Sequence, residues 1–256
     1  MIATNAECDL LVISPHTDDA EIGLGGTIAT LAQQGKKVWA VDLTRGELGS
    51  NATVEERWLE AAEASKTLGL TGRVQLKLPD GFINATEKEH INAVVWALRT
   101  FRPRWVISAP DPVRHPDHVA TAELVRRAAF LARLTELKVT EPEHSPWSDG
   151  AEVPSTADLW VAEVVLSVCP AHATPSLLFD VTDQWGTKTK ALHCYASQFQ
   201  RSNLRRPTMI NDGSFLDRIE RRARNWGRRG GCEYAEAFCT DAVPVYKEFP
   251  ESGWQA

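Results

Sequence analysis

Imidazoles and carboxylates crowd two short stretches of this chain, Pro15-His16-Thr17-Asp18-Asp19-Ala20-Glu21 and Arg114-His115-Pro116-Asp117-His118. These are the ligand types that hold a catalytic zinc while leaving a position open for water. His16 and Asp19 lie three residues apart, so a strand that turns into a helix near Asp18 lets both converge on one ion. His118, at the start of a second helix, supplies a third ligand. Asp18 is then a spare carboxylate beside the ion's water, able to take a proton as general base and deliver it to a leaving amine. His115 and Asp117 sit behind the ligands. A histidine there can stabilise the oxyanion formed when water attacks a carbonyl, and an aspartate bonded to a neighbouring imidazole fixes its tautomer. Arg114 adds a fixed positive charge at the mouth, suited to an anionic part of a substrate. Together these residues spell a metal-dependent hydrolase, and ligand type alone does not separate zinc from iron(II).

Each cluster follows a strongly apolar run, Leu10-Leu11-Val12-Ile13 before the first and Trp105-Val106-Ile107 before the second. The first half alternates such runs with helical patterns. Strands are expected at 10–14, 38–43, 74–78 and 105–108, and helices at 23–34, 54–68, 87–101 and 118–134. That order predicts an α/β fold, a Rossmann-like three-layer sandwich with a mostly parallel sheet and helices on both faces. Such sheets place their sites outside the carboxyl ends of the strands, where both clusters fall. Further on, strands are expected at 159–168, 177–181 and 235–240, and helices at 183–198 and 214–226. Residues 140–157, rich in Pro, Ser, Glu and Asp, read as an exposed loop able to act as a lid, with Trp147 placed to stack on a sugar ring.

A chain of 256 residues, 43% hydrophobic, suits one domain spanning 1–256. The net charge of −6 gives no reason to expect nucleic-acid binding. No apolar run reaches membrane-spanning length and the start lacks a signal peptide, so the cytoplasm is the default location. The five scattered cysteines, with no CxxC pair, read as thiols of a reducing compartment. Gly23-Leu24-Gly25-Gly26 reads as small residues that let a helix pack tightly. The alternative, a phosphate cradle in a non-catalytic nucleotide-binding or sugar-phosphate-binding module, lacks the GxGxxG spacing. The basic run from Arg218 to Arg229 reads as a solvated helix face or a subunit contact, with an anionic-substrate funnel as the alternative.

The segments PHTDDAEIGLGG, LTRGELGSN and RHPDH resemble the LmbE-like (PIG-L) family of zinc-dependent N-acetylglucosaminide deacetylases. The likeness extends to Asn51–Arg57, Pro79-Asp80, the stretch from Ala191 to Phe199 and Tyr234–Phe238. Thr17 and Pro15 depart from the family's usual HPDD opening. The resemblance implies His16, Asp19 and His118 as zinc ligands, Asp18 as general base, and His115 with Asp117 as its electrostatic partners. Within the family the chain looks most like the branch that deacetylates N-acetylglucosaminyl-malate in bacillithiol biosynthesis, other N-acyl amino sugars being the alternative. That branch implies Arg57 as an active-site arginine and Tyr195 as a mobile tyrosine near the site, both as substrate-binding residues, and a homo-oligomer.

Overall fold

The computed structural model describes residues 7–109, 115–147 and 152–242. The apolar runs form strands β1 (Cys8–Ser14), β2 (Val38–Thr44), β3 (Gly72–Leu78) and β4 (Pro103–Ser108). β1 and β2 are buried almost throughout. That is the signature of a parallel strand covered on both faces. Three further strands, β6 (Val164–Val168), β7 (Leu177–Asp180) and β8 (Ala235–Cys239), extend the sheet, and β5 (His144–Trp147) closes the other side. The order is β5-β3-β2-β1-β4-β6-β8-β7. β1 to β4 and β6 run parallel, whereas β5 and β8 lie antiparallel to their neighbours. The α/β, mostly parallel architecture is the one the sequence predicts.

Two helical layers cover the sheet. α1 (Asp19–Gln33), α2 (Val54–Leu68) and α5 (Trp185–Cys194) lie on one face, over Leu10, Val12, Val38 and Ala40. α3 (Lys88–Phe101) and α4 (Pro116–Leu131) lie on the other, over Leu11, Ile13, Val41 and Val106. The short α6 (Ala196–Phe199) follows α5, and α7 (Phe215–Gly230) packs along β7 and β8. From β1 the chain moves outward to β2 and β3, then crosses back to place β4 on β1's other side. Ligands of open α/β sheets bind where the strand order reverses in this way. Among the described residues no helix is long and apolar enough to cross a membrane. None of the five cysteines is in a disulfide.

Four local expectations need correction. Residues 144–147 are not loop. They form β5 against β3, which would otherwise be an edge strand presenting a row of unpaired backbone groups. β6 starts at Val164 rather than 159, because the preceding residues bond elsewhere; Trp160 N–H donates to the Ala132 carbonyl at 2.9 Å. The single helix expected over 183–198 breaks at Tyr195, whose φ/ψ of −84°/62° is not helical. α1 begins at Asp19, well ahead of Gly23, and carries a kink at Leu24 (φ −149°, ψ 27°).

That kink explains the glycines. Past it the amides of Gly26 and Thr27 begin a new helical segment, and both donate to the Glu236 carboxylate, at 3.0 and 2.7 Å. Lys188 pairs with the same carboxylate and also donates to the Ile22 carbonyl at 3.0 Å. A protein carboxylate therefore fills the place that the phosphate-cradle alternative would give a ligand. A Cβ at Gly26 would lie 2.7 Å from the Cβ of Val181, so the tight-packing reading accounts for the residue.

Candidate metal centre

Register brings the two clusters together. Ile13 of β1 pairs with Ser108 of β4, so the loops that follow both strands leave the sheet side by side. Pro15–Asp18 turns straight into α1. On the other loop His115 caps α4, its Nδ1 accepting from Asp117 N–H at 3.2 Å, and Pro116 takes the first helical position. This is a standard way to start a helix, and it points His118 across the gap at Asp19.

His16 is the centre of the arrangement, and its two nitrogens face different partners. Nδ1 lies 2.9 Å from Asp19 Oδ2. Nε2 lies 3.0 Å from Asp80 Oδ1 and 3.4 Å from Asp117 Oδ2. His118 Nε2 is 3.5 Å from the same Asp19 oxygen. One ligand atom each from His16, Asp19 and His118 fits within 4.8 Å. Burial alone would make the His16 ring less basic. Hydrogen bonds to Asp117, Asp19 and Asp80 outweigh it and hold the ring's pKa well above its ordinary value. Burial likewise pushes the Asp19 carboxyl up, but the neighbouring His118 and His16 charges bring it below the ordinary range. The donor set suits a divalent metal. With the Nε2 proton donated to Asp80, the Nδ1 lone pair is left facing Asp19 and His118, in the carboxylate–histidine–metal pattern.

The remaining carboxylates are held firmly. Asp117 accepts from Gly81 N–H at 2.7 Å and Ile83 N–H at 3.1 Å, and its Oδ2 lies 3.4 Å from His16 Nε2. Burial opposes ionisation of Asp117, yet the His16 bond and these amides keep its pKa low. Asp80 accepts from Leu48 N–H at 3.0 Å, and its own N–H donates to Glu47 at 3.0 Å. Asp18 takes a 3.2 Å bond from Arg57 Nη2, and Arg57 Nη1 donates to the Gly46 carbonyl at 3.3 Å. Gly46 has a φ of +65°, and a Cβ there would lie 2.1 Å from the Arg57 guanidinium. Only glycine lets the loop pass so close. His115 stacks on His118 with centroids 5.0 Å apart. Burial, then the charges of His16 and His118, lower its pKa. Because its Nδ1 accepts a bond, the proton of the neutral ring sits on Nε2.

His16, Asp18, Asp19, Arg57, Asp80, His115 and His118 line a cleft of about 590 Å3, which apolar Ile22, Leu48, Ile210, Phe215 and Ile219 also line. Arg218 and Arg222 also line it. The basic run therefore divides. Those two face the cleft, while Arg224 bonds Glu220 and Glu233 at 3.0 and 3.1 Å and lies over the Tyr234 ring. Tyr195 is not where the resemblance implies. It is fully buried behind the metal loop, its hydroxyl donating to the Thr17 carbonyl, and it does not line the cleft. Arg114 and residues 148–151 lie outside the described residues, as does the Trp147 side chain.

Two functional candidates were missed from sequence. Asp80 follows β3 just as His16 follows β1 and His115 follows β4, so the strand-end rule could have found it. Arg73 gave no signal. It opens an ordinary-looking strand, yet it is fully buried and forks onto Asp42, with Nε to Oδ2 at 2.7 Å and Nη2 to Oδ1 at 2.9 Å.

Fold and site together define the class: a Rossmann-like α/β protein with a His/Asp centre at the switch point of its sheet. Residues 11–129 match the PIG-L family, described as GlcNAc-PI de-N-acetylase. The solved structure of the conserved protein TT1542 from Thermus thermophilus is similar with a TM-score of 0.77 and 32% identity, covering 96% of this chain and 100% of that one. The chain belongs to the PIG-L family. It is 31% identical to the 1D-myo-inositol 2-acetamido-2-deoxy-alpha-D-glucopyranoside deacetylase of Rhodococcus erythropolis over 54% of its own length and 58% of that protein's. It thus spans little more than half of that relative. The diacetylchitobiose deacetylase of Thermococcus kodakarensis is 27% identical over 74% of this chain and 70% of that one.

Proposed function

We propose that this protein is a metal-dependent deacetylase that hydrolyses the N-acetyl group of an amino sugar conjugate. The observation that carries the reading is the gathering of His16, Asp19 and His118 within 4.8 Å, beside an Asp18 carboxylate aimed by Arg57. Both named relatives remove acetyl groups from amino sugars, which supports the reaction class. His16 Nδ1, Asp19 and His118 would hold the ion, zinc by ligand type with iron(II) as the competitor. A divalent ion there supplies Lewis acidity toward the amide carbonyl and makes a water easier to deprotonate.

The chain's own residues do the rest. Asp18 takes the proton of the attacking water and later gives it to the departing amine. Arg57 fixes the direction of that carboxylate. His115, with its proton on Nε2, donates to the oxyanion that forms as water adds to the carbonyl. Asp80 and Asp117 hold His16 by its far nitrogen. The carboxylate contact at His16 and the backbone amide on Asp19 preset two of the ligands, which reduces reorganisation during the reaction.

The substrate is read as a small N-acetylglucosaminyl conjugate, with N-acetylglucosaminyl-malate first. Arg218 and Arg222 on the cleft wall support an anionic aglycone. One domain, 1–256, working in the cytoplasm as a homo-oligomer completes the proposal. The test is acetate release from N-acetylglucosaminyl-malate, an inositol-linked N-acetylglucosamine and diacetylchitobiose, with zinc-loaded and chelator-treated protein. Release that depends on the metal supports the reading, and the preferred substrate sets the conjugate. Stoichiometric metal without release from any of the three would overturn it.

A further inference from the structure

The loop that carries His16 and Asp18 and leads into Asp19 is only four residues long, and its backbone oxygens are taken one by one. Pro15 O accepts from Thr44 N–H at 3.0 Å and Thr44 Oγ1 at 2.9 Å. Asp18 O accepts from Ile22 N–H at 3.0 Å as α1 begins. The Thr17 carbonyl, in the peptide that leads directly into Asp18, is held differently. Two side chains from distant elements donate to it, Arg73 Nη2 from β3 and the Tyr195 hydroxyl from the break between α5 and α6.

Both donors are fully buried, and they are bonded to each other, Arg73 Nη1 lying 3.2 Å from the Tyr195 hydroxyl. Arg73 is oriented in turn by its fork onto Asp42 and by Glu21 Oε1 at 2.7 Å. Burying a guanidinium with two carboxylates is not an efficient source of stability. Apolar side chains of the same volume often do as well or better. In this cluster the carboxylates fix the guanidinium so that Nη2 meets a single peptide carbonyl, that of Thr17. That peptide joins Thr17 to Asp18, and Asp19 follows as the first residue of α1.

Building on the function proposed above, we propose that Arg73 and Tyr195 are positioning residues for the reaction. They clamp the Thr17 carbonyl and so fix the direction in which Asp18 and Asp19 leave the backbone, while Arg57 fixes the Asp18 carboxylate from the cleft side. Neither touches the substrate. Tyr195 acts from beneath the loop.

Tyr195→Phe isolates the clamp. The ring keeps its packing against Phe199, and Arg73 keeps Asp42, Glu21 and Ser65, whose Oγ lies 3.3 Å from Nη1. The second donor to Thr17 is lost, together with the hydroxyl's contact to Arg73 Nη1, a loss on the same nitrogen that Ser65→Ala reproduces. Ser65→Ala is the control, since it removes a contact to Arg73 and nothing on Thr17. Outer partners of a metal site are worth roughly 10–100-fold in affinity or activity. The expected result for Tyr195→Phe is a kcat lowered by about that factor with KM within about twofold, and zinc affinity, measured by chelator competition, weakened about tenfold. Arg73→Lys, which keeps the charge but cannot fork, should fall in the same sense. Ser65→Ala should match the parent.

Tyr195→Phe with kcat and zinc affinity both within twofold of the parent would overturn the clamp. So would an equal loss in Ser65→Ala, or a rise in KM matching the fall in kcat, either of which makes the effect general. A parent protein that binds zinc but deacetylates nothing defeats the proposed function, while the zinc titrations still decide this proposal. A parent that binds no zinc defeats both.

Discussion

Asp80→Asn changes one oxygen to an NH2 group, and the surrounding hydrogen bonds dictate the consequences. Asp80 serves two donors at once, His16 Nε2 at 3.0 Å through Oδ1 and Leu48 N–H at 3.0 Å through Oδ2. An amide has one acceptor, so asparagine can satisfy only one of them. If its oxygen stays with His16, the Leu48 amide faces another donor, and the loss of this part-buried hydrogen bond costs about 0.5–1.5 kcal/mol of stability. If the amide turns to keep Leu48, its NH2 faces His16. The Nε2 proton then has only Asp117, at 3.4 Å, to hold it, and to the extent that it shifts to Nδ1, the nitrogen that faces Asp19 and His118, the lone pair needed by a metal is lost. The first outcome lowers the urea midpoint, and the second lowers zinc affinity. Such partners are worth roughly 10–100-fold, or about 1.4–2.8 kcal/mol at 1.4 kcal/mol per decade. The measurement is zinc affinity by chelator competition, with turnover and urea unfolding on the same preparations. A variant matching the parent in all three would show that Asp80 does not set the His16 tautomer.

Other expectations rest on the same geometry. Asp18→Ala should keep its zinc on elemental analysis and lose about 10²–10⁴-fold in kcat; a near-normal kcat would remove it as the base. His118→Ala should lose zinc on gel filtration, and undiminished metal would take it out of the ligand set. His90 is buried, with Nδ1 accepting from Asn84 N–H at 3.0 Å, and burial depresses its pKa below the ordinary 6.5 despite the charges of Glu87 and Glu89. The folded protein therefore prefers the neutral ring. Its contribution to stability is complete above pH 6.5 and is lost as pH falls through the depressed pKa, because the unfolded chain then binds the extra proton. Comparing urea midpoints at pH 7.5 and 5.5 should show a larger acid loss in the parent than in His90→Gln, and equal losses would refute this.

The layered architecture and the ligand cluster were legible because local signals carried both. Apolar runs mark buried parallel strands, and His16, Asp19 and His118 lie directly beyond two of them. What stayed hidden depends on contacts across long stretches of chain. Arg73 meets Asp42 only because β2 and β3 pair with Ala40 opposite Arg73, and nothing in the local sequence announces that register. Tyr195 was placed at the substrate by resemblance, but the break in the helix drops its hydroxyl beneath the loop instead. β5 was hidden because its partner is the exposed flank of β3, and polar, proline-rich residues give no apolar pattern. Arg218 and Arg222 carried the right charge, but which wall α7 builds is set by how it crosses β7 and β8.

The carboxylate of Glu236 has a bearing on the order in which the molecule is assembled. It joins the amides of Gly26 and Thr27 across 210 and 209 positions of sequence, so α1, the first helix, is finished by β8, the last of the described strands. Contacts between such remote partners are among the slowest to form. A nascent chain released before β8 could lay down its early strands and still lack a properly seated α1. The seating of α1, whose first residue is Asp19, therefore waits on synthesis of the chain through β8.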